Sequence, residues 1–236
     1  MRLVETGDGS LTMFHEGFDE EFHSRSGALT EARELYINRS GFSEKGLVGS
    51  PIEILDVGLG LGYNALMSIE AWLAKDSPGD LSVISLEVDE SLVLGLASGE
   101  ADWMKDWNSS WCEWGKSLKK VAEGRYKADL AHPSGASGTF VVLVGNALMV
   151  HWENEVKKGL SYVWQDAFSP GKNPELWSSD WFKRVADARA EDGCVLMTYS
   201  VARIVRDALA EAGFQVARIP AVGAKRNWLK GVISNH

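Results

Sequence analysis

The sequence predicts an α/β fold with a mostly parallel sheet and an antiparallel last strand. Three observations carry this: five short apolar runs alternate with segments of helical period, a glycine-rich turn separates the first run from the first helix, and two strand-like runs close the chain. Runs without polar alternation suit strands covered on both faces. Strand and helix signals in alternation are how a parallel sheet is connected.

Residues 1–50 read as a polar N-terminal segment packed on the main domain, 51–236, in one compact unit. Residues 52–57 read as the first strand and 63–73 as the helix after the glycines. "LSVISLEV" (81–88), "TFVVLVG" (139–145), "LSYVWQD" (160–166) and "CVLMTYS" (194–200) read as the next four strands. Helices are expected over 175–190, closed by Gly193, and over 202–212, ended by Gly213. "FQVARIP" and "NWLKGVIS" then form a hairpin around the turn at 223–226, which makes the last strand antiparallel to its neighbour. Between 100 and 138 the pattern changes. Trp103, Trp107, Trp111 and Trp114 recur at helical spacing, placing four indoles on one helix face, and the Gly/Ser/Pro-rich "AHPSGASG" follows. Core packing is the favoured reading of that stripe over a platform for stacking bases.

At 236 residues and 45% hydrophobic, the chain can bury one sizeable core. No stretch approaches the ~18–20 uninterrupted apolar residues of a membrane span, and the first residues lack a secretion signal, so a cytoplasmic location is expected. Cys112 and Cys194 lie far apart without metal-ligand spacing, so two ordinary buried thiols are expected, with no disulfide framework and no metal. The net charge of −9 argues against indiscriminate nucleic-acid binding. From residue 200 onward, however, six basic residues face only Asp207 and Glu211, which permits one focused polyanion contact; solvated surface is the alternative.

"ILDVGLGLGYN" sits where a strand turns into a helix, the first requirement for a nucleotide-binding turn. Gly58 and Gly60 allow a tight turn, and Gly62 allows close approach at the helix start. The spacing is Asp56-x-Gly58-x-Gly60-x-Gly62, which departs from the dinucleotide pattern and makes an NAD dehydrogenase the least favoured reading. A carboxylate at Asp56 repels a pyrophosphate and can accept charge-assisted bonds from an ammonium group. The segment has the shape of the first motif of S-adenosylmethionine-dependent methyltransferases. In "SLEVDE", Glu87 at the strand end can accept both ribose hydroxyls, while Asp89 is placed to cap the next helix. In "GNAL", Asn146 can pair with an adenine edge; plain turn chemistry is the other reading. In "WQDAFSPGKNPELW", Asp166 emerges at the carboxyl end of a buried strand, where open α/β sheets bind ligands, and Phe168 supplies an aromatic wall.

Taken together with "EEFHSRSGALTEARELYI", "TYSVARIVRDALAEAGF" and "VGAKRNWLKG", these motifs give a chain that resembles, over nearly its whole length, the bacterial tRNA 5-methylaminomethyl-2-thiouridine methyltransferases of the MnmC/MnmD type. The signature from Asp166 to Trp177 and the late Gly-x-x-Lys-Arg-like "GAKR" are its most specific parts. The resemblance implies a Rossmann-like class I methyltransferase that uses S-adenosyl-L-methionine to methylate the aminomethyl nitrogen of a wobble uridine in a tRNA anticodon loop. It implies cofactor contacts at Asp56, Gly58, Gly60, Gly62, Asn64, Glu87, Asn146 and Asp166, and catalytic roles for Asp166 and Phe168. It places tRNA or substrate contacts at Lys225, Arg226, Lys172, Arg33 and Glu31. Many relatives carry a flavin-dependent oxidase domain that this sequence lacks, so a stand-alone methyltransferase is expected, with a separate oxidase or other enzyme supplying the amine. Asp56 stands where many relatives have Glu, Asn146 where Asp is common, and the Trp-rich stretch is not a family pattern. An aminopropyltransferase-like or other small-amine enzyme, disfavoured for want of a crowded acidic pocket motif, and an inactive cofactor-binding RNA module remain as alternatives.

Overall fold

The N-terminal segment, polar in sequence, forms a small antiparallel sheet of its own: β1 (Arg2–Glu5), β2 (Leu11–His15) and β3 (Glu20–Glu21). The computed structural model describes residues 1–42, 49–189, 193–222 and 227–234. Asp8 fastens the first turn, accepting from the Ser10 N–H and hydroxyl and, across the chain, from the Thr30 N–H at 2.8 Å. That last bond ties the turn to helix α1 (Ala28–Glu31), which runs directly into π-helical turns over Ala32–Asn38.

The rest of the chain alternates as the apolar runs predict. In order it forms β4 (Ile52–Val57), α2 (Tyr63–Leu73), β5 (Leu81–Glu87), α3 (Glu90–Ser98), α4 (Ser109–Ser117), β6 (Lys119–Ala122), β7 (Arg125–Ala131) and β8 (Ser137–Val144). Then come β9 (Tyr162–Gln165), α5 (Ser179–Asp187), β10 (Cys194–Thr198), α6 (Arg203–Glu211), β11 (Gln215–Pro220) and β12 (Asn227–Ile233). These strands make one sheet in the order β11-β12-β10-β9-β4-β5-β8-β7-β6. β4 is buried at all six positions and feeds two cores: Ile52 and Ile54 pack on one face of the sheet, Leu55 and Val57 on the other. The pairs β4–β5, β5–β8, β4–β9 and β9–β10 are parallel, whereas β12 is antiparallel to both β10 and β11. From β4 the chain proceeds outward through β5 to β8, then returns to β4's other side with β9. Strand order therefore reverses between β4 and β9, and a crevice opens at their carboxyl ends.

Three expectations need correction. The helix expected over 175–190 is broken: Pro174 opens a short 3₁₀ turn (Pro174–Trp177), and Ser178, extended at ψ 158°, starts α5 afresh by accepting from the Trp181 N–H. A serine oxygen satisfies an orphan donor at a helix start better than it serves a helix interior. The four indoles likewise span two elements, because Asn108 caps α4 by accepting from the Trp111 N–H at 2.9 Å. Trp103 and Trp111 are buried, and Trp107 and Trp114 pack on the same core. The six other tryptophans (Trp72, Trp152, Trp164, Trp177, Trp181 and Trp228) are each less than 2% exposed, so aromatic wealth here is core. Third, β6 and β7 went unread, although Tyr126 and Ala128 alternate with exposed or half-buried neighbours as a half-covered strand requires. Cys194 is buried, but Cys112 is only half-buried. Among the described residues no helix is long and apolar enough to cross a membrane.

Candidate active site

A cavity of about 790 Å³ occupies the crevice where the strand order reverses. The loop after β4 forms its floor. Gly58 (φ 91°) and Gly60 (φ 53°) both line it in left-handed backbone conformations. A Cβ on Gly58 would stand 2.9 Å from the Asp166 carbonyl oxygen, so the bare backbone is what lets the ends of β4 and β9 approach. A Cβ on Gly60 would meet the Phe22 ring at 3.1 Å. Gly62, also left-handed, caps α2 and packs against Leu96 of α3, so the close approach there is helix to helix.

Glu87 lines the cavity at the end of β5 with its carboxylate held by backbone: Oε2 accepts from the Gly60 N–H at 2.8 Å, and Oε1 accepts from the Val88 and Asp89 N–H groups. Burial pushes this carboxyl up, while those three donors pull it down. Asp89 caps α3, as expected from sequence. Asn146 also lines the cavity, is exposed, and caps its own turn by accepting from the Leu148 N–H.

Asp166 stands one residue beyond β9 and lines the opposite wall. Its two oxygens each take a side-chain donor: the Tyr36 hydroxyl gives to Oδ1 at 2.7 Å and the Asn64 amide to Oδ2 at 2.8 Å. Burial, and then the Asp166 charge, push the Tyr36 phenol well above its ordinary value, so it remains a donor. Tyr199, raised for the same two reasons, lines the cavity and donates to the Ala167 carbonyl at 2.9 Å. Phe168 lies next to the mouth in an aromatic cluster with His15, Phe18 and Phe22, stacked on Phe18 at 4.2 Å between centroids. The N-terminal segment thereby supplies Phe18 and Phe22 to the aromatic wall. It is also latched to the loop after β9, since Ser169 gives both its N–H and its hydroxyl to Glu20.

Other sequence-derived candidates lie elsewhere. Asp56 is fully buried and, among the described residues, the cavity wall does not include Asp56, Gly62 or Asn64. Asp56 lies inside β4, all of whose positions are covered, and it accepts from the Ser85 hydroxyl at 2.7 Å. Buried Glu31 does line the cavity, accepting from the Ser24 N–H. Lys172 reaches Asp19 at 3.4 Å on the surface, and Arg33 is exposed away from the cavity wall. Lys225 and Arg226 fall outside the described residues.

Sequence reasoning missed Tyr36, Tyr199, Phe18, Phe22 and Glu20. Tyr36 sits in the N-terminal segment that reads as polar, and only the tertiary fold turns its hydroxyl onto Asp166. The lining is also more acidic than the motifs suggested. Among the described residues that line it, Glu20, Glu21, Glu31, Glu87, Asp166 and Glu175 face a single arginine, Arg25, which is paired with Glu21. Such a lining suits a cationic ligand or an amine.

These residues fit S-adenosyl-L-methionine. The volume lies in the usual ligand-site range, the two left-handed glycines leave backbone uncovered at the floor, and the acidic walls suit a sulfonium and an ammonium. Comparison with known proteins agrees. A family model described as S-adenosyl-L-methionine-dependent methyltransferase matches residues 113–234. The tRNA 5-methylaminomethyl-2-thiouridine biosynthesis bifunctional protein MnmC of Azoarcus sp. is 29% identical over 93% of this chain and 34% of its own length. An uncharacterized protein of Methanocaldococcus jannaschii is 32% identical over 95% of this chain and 57% of its own. The chain thus spans about a third of the length of the curated MnmC relatives it matches. Among solved structures, MNMC2 from Aquifex aeolicus superposes with a TM-score of 0.76 at 26% identity, covering 98% of this chain and 69% of that one.

Proposed function

The chain belongs to the family of S-adenosyl-L-methionine-dependent methyltransferases, and on that premise we propose that it methylates the aminomethyl nitrogen on a wobble uridine of tRNA. The observation that carries this reading is Asp166, held at the cavity wall by Tyr36 and Asn64 in a chain whose relatives include the MnmC proteins. Segment 1–50 acts as part of the same catalytic unit, since it brings Tyr36, Phe18 and Glu20 to the site.

When bound, S-adenosyl-L-methionine supplies an electrophilic methyl group on a sulfonium. Gly58 and Gly60 give it a floor without side chains, and Glu87, at the end of β5, is the group to receive its ribose. Asn146 takes the adenine edge. The protein's remaining task is to hold a neutral amine in line, which is proximity and orientation. Asp166 accepts a hydrogen bond from that amine and aims its lone pair, and the proton released goes to water. Glu31 adds negative charge that draws the amine in. Phe168, backed by Phe18 and Phe22, keeps water from the reacting region. A base in a single-stranded anticodon loop can be extruded at modest unstacking cost. Lys225, Arg226, Lys172 and Arg33 are the candidate phosphate contacts, and a preceding reaction prepares the amine.

The test uses methyl-labelled S-adenosyl-L-methionine with tRNA bearing aminomethyluridine, the same tRNA unmodified, and a free diamine. Label is expected on the aminomethylated tRNA alone. Label on the diamine alone overturns the tRNA reading. Neutralising Lys225 and Arg226 together should weaken tRNA binding and flatten its salt dependence by about two phosphate contacts; an unchanged slope returns them to ordinary surface.

A further inference from the structure

A tRNA brings phosphates to a cavity whose walls repel them. Among the described residues that line it, Arg25 is the single lysine or arginine against six carboxylates. Such walls draw an aminomethyl nitrogen inward, but the phosphodiesters on either side of the same nucleotide are pushed away unless a donor meets them. Arg25 is placed to be that donor. Its backbone is pinned: the Gly7 N–H gives to the Arg25 carbonyl at 2.8 Å, and the adjacent Ser24 N–H gives to Glu31 at 3.0 Å. The guanidinium itself is held along one edge only. Nε gives to both oxygens of Glu21, at 2.9 and 3.0 Å, and Nη2 gives to Oε1 at 2.7 Å. Among the described residues Nη1 has no partner, so the second edge of the fork, both Nη1 hydrogens and the remaining one on Nη2, is uncommitted. Glu21 is the covered half of the pair, its side chain 11% exposed against 79% for Arg25. An exposed pair adds little to stability. Its effect here is to hold a planar fork by one side at an otherwise acidic opening and leave the other side for an anion.

We propose that Arg25 is a phosphate contact for the target nucleotide: its free Nη1/Nη2 edge takes two oxygens of a phosphodiester flanking the extruded base, while Glu21 holds the other edge. The chemistry this edge selects is a two-oxygen anion, which the cofactor's carboxylate also offers. Exposure favours the phosphodiester. The linkage of an extruded nucleotide stays on the solvent side while its base enters, and most of the Arg25 side chain is open to solvent. The site then sorts its substrate by charge, with the amine inward toward Asp166 and Glu31 and the linkage outward on Arg25. An amine carried on a nucleotide chain is thereby preferred to a free amine of the same size. This inference rests on the tRNA reading above and deepens it by naming what the site reads besides the amine.

The probe is a trinucleotide with 5-aminomethyluridine at its centre, made either with phosphodiester linkages or with uncharged methylphosphonate linkages, and titrated onto the protein holding S-adenosylhomocysteine. The native protein should bind the phosphodiester form about tenfold or more tighter, the scale of a charge-assisted hydrogen bond. Arg25→Gln alone uncovers the Glu21 charge, so the decisive variant combines Arg25→Gln with Glu21→Gln. It leaves the net charge unchanged and should bind the two forms alike to within about twofold. A preference that survives in the double variant, or that the native protein lacks, overturns the proposal. The Kd for S-adenosyl-L-methionine should stay within about threefold of native, which also certifies the fold; a larger rise assigns the edge to the cofactor's carboxylate and overturns the proposal too. A native protein that shows the preference yet methylates no aminomethylated tRNA refutes the function reading and leaves the phosphate contact in place.

Discussion

Asp56 and Asp166 lie on the same face of two neighbouring parallel strands and flank the same Asn64 side chain, yet only Asp166 meets the cavity. In register, Asp56 pairs with Trp164, so Asp166 stands two residues, roughly 7 Å, nearer the carboxyl edge. Those two residues decide everything about the chemistry. Inside the ladder Asp56 is fully buried and accepts from the Ser85 hydroxyl, and burial favours its neutral form. Beyond the ladder Asp166 gathers a hydroxyl and an amide and opens onto the ligand. Asp8, in the N-terminal sheet, marks the other limit. It is partly buried, which raises it, but Ser10 and Thr30 donors outweigh that and hold it well below the usual carboxylate range. Donor supply, rather than residue type, sets the charge of an aspartate.

The largest test of the contrast is Asp166→Asn. It should lower the single-turnover rate about 10²-fold, the scale expected when the reacting amine loses its orientation, while leaving the cofactor Kd within about threefold. An unaffected rate would remove the functional half of the comparison.

Next comes stability against pH. Because the folded value of Asp56 is raised, the folded protein holds a proton between pH ~4 and about 8 that the unfolded chain has released. Its contribution is therefore complete below pH ~4 and is lost as pH rises through about 8, at no more than about 1.4 kcal/mol per pH unit. Denaturant melts of native protein and Asp56→Asn over that range should show the native advantage shrinking as pH rises. A constant difference would make Asp56 an ordinary ionised aspartate.

The smallest effect is expected for Tyr36→Phe, which removes one of the two donors to Asp166. A rate loss of about tenfold, near 1.4 kcal/mol, with little change in Tm would assign the hydroxyl to positioning. A large fall in Tm with an unaltered rate per folded molecule would assign it to the core instead.

Much of this was legible in the sequence because the signals are local. The bounds of β4 and α2 follow from an apolar run, three glycines and a helical period, and Asp89 and Gly213 announce a cap and a stop. Glu87 and Asp166 were found because an acidic residue at the end of an apolar strand has few other reasons to be there. The two helix misreadings share one cause. A periodic pattern does not reveal where a side chain such as Ser178 or Asn108 prefers the backbone N–H two or three residues ahead to helix continuation, so one helix was read where two segments exist.

The sequence by itself determined the central parallel strands, the glycine floor and the two acids that line it, since strand burial, left-handed backbone and strand-end chemistry are properties of short stretches. Only the tertiary structure decided that Tyr36, 130 residues from Asp166, should hold it. It also decided that the first sheet closes the aromatic wall, and that Asp56 of the glycine motif faces Asn64 instead of the ligand. Those outcomes depend on register and on which distant elements come within a hydrogen bond's length, and no local pattern encodes that.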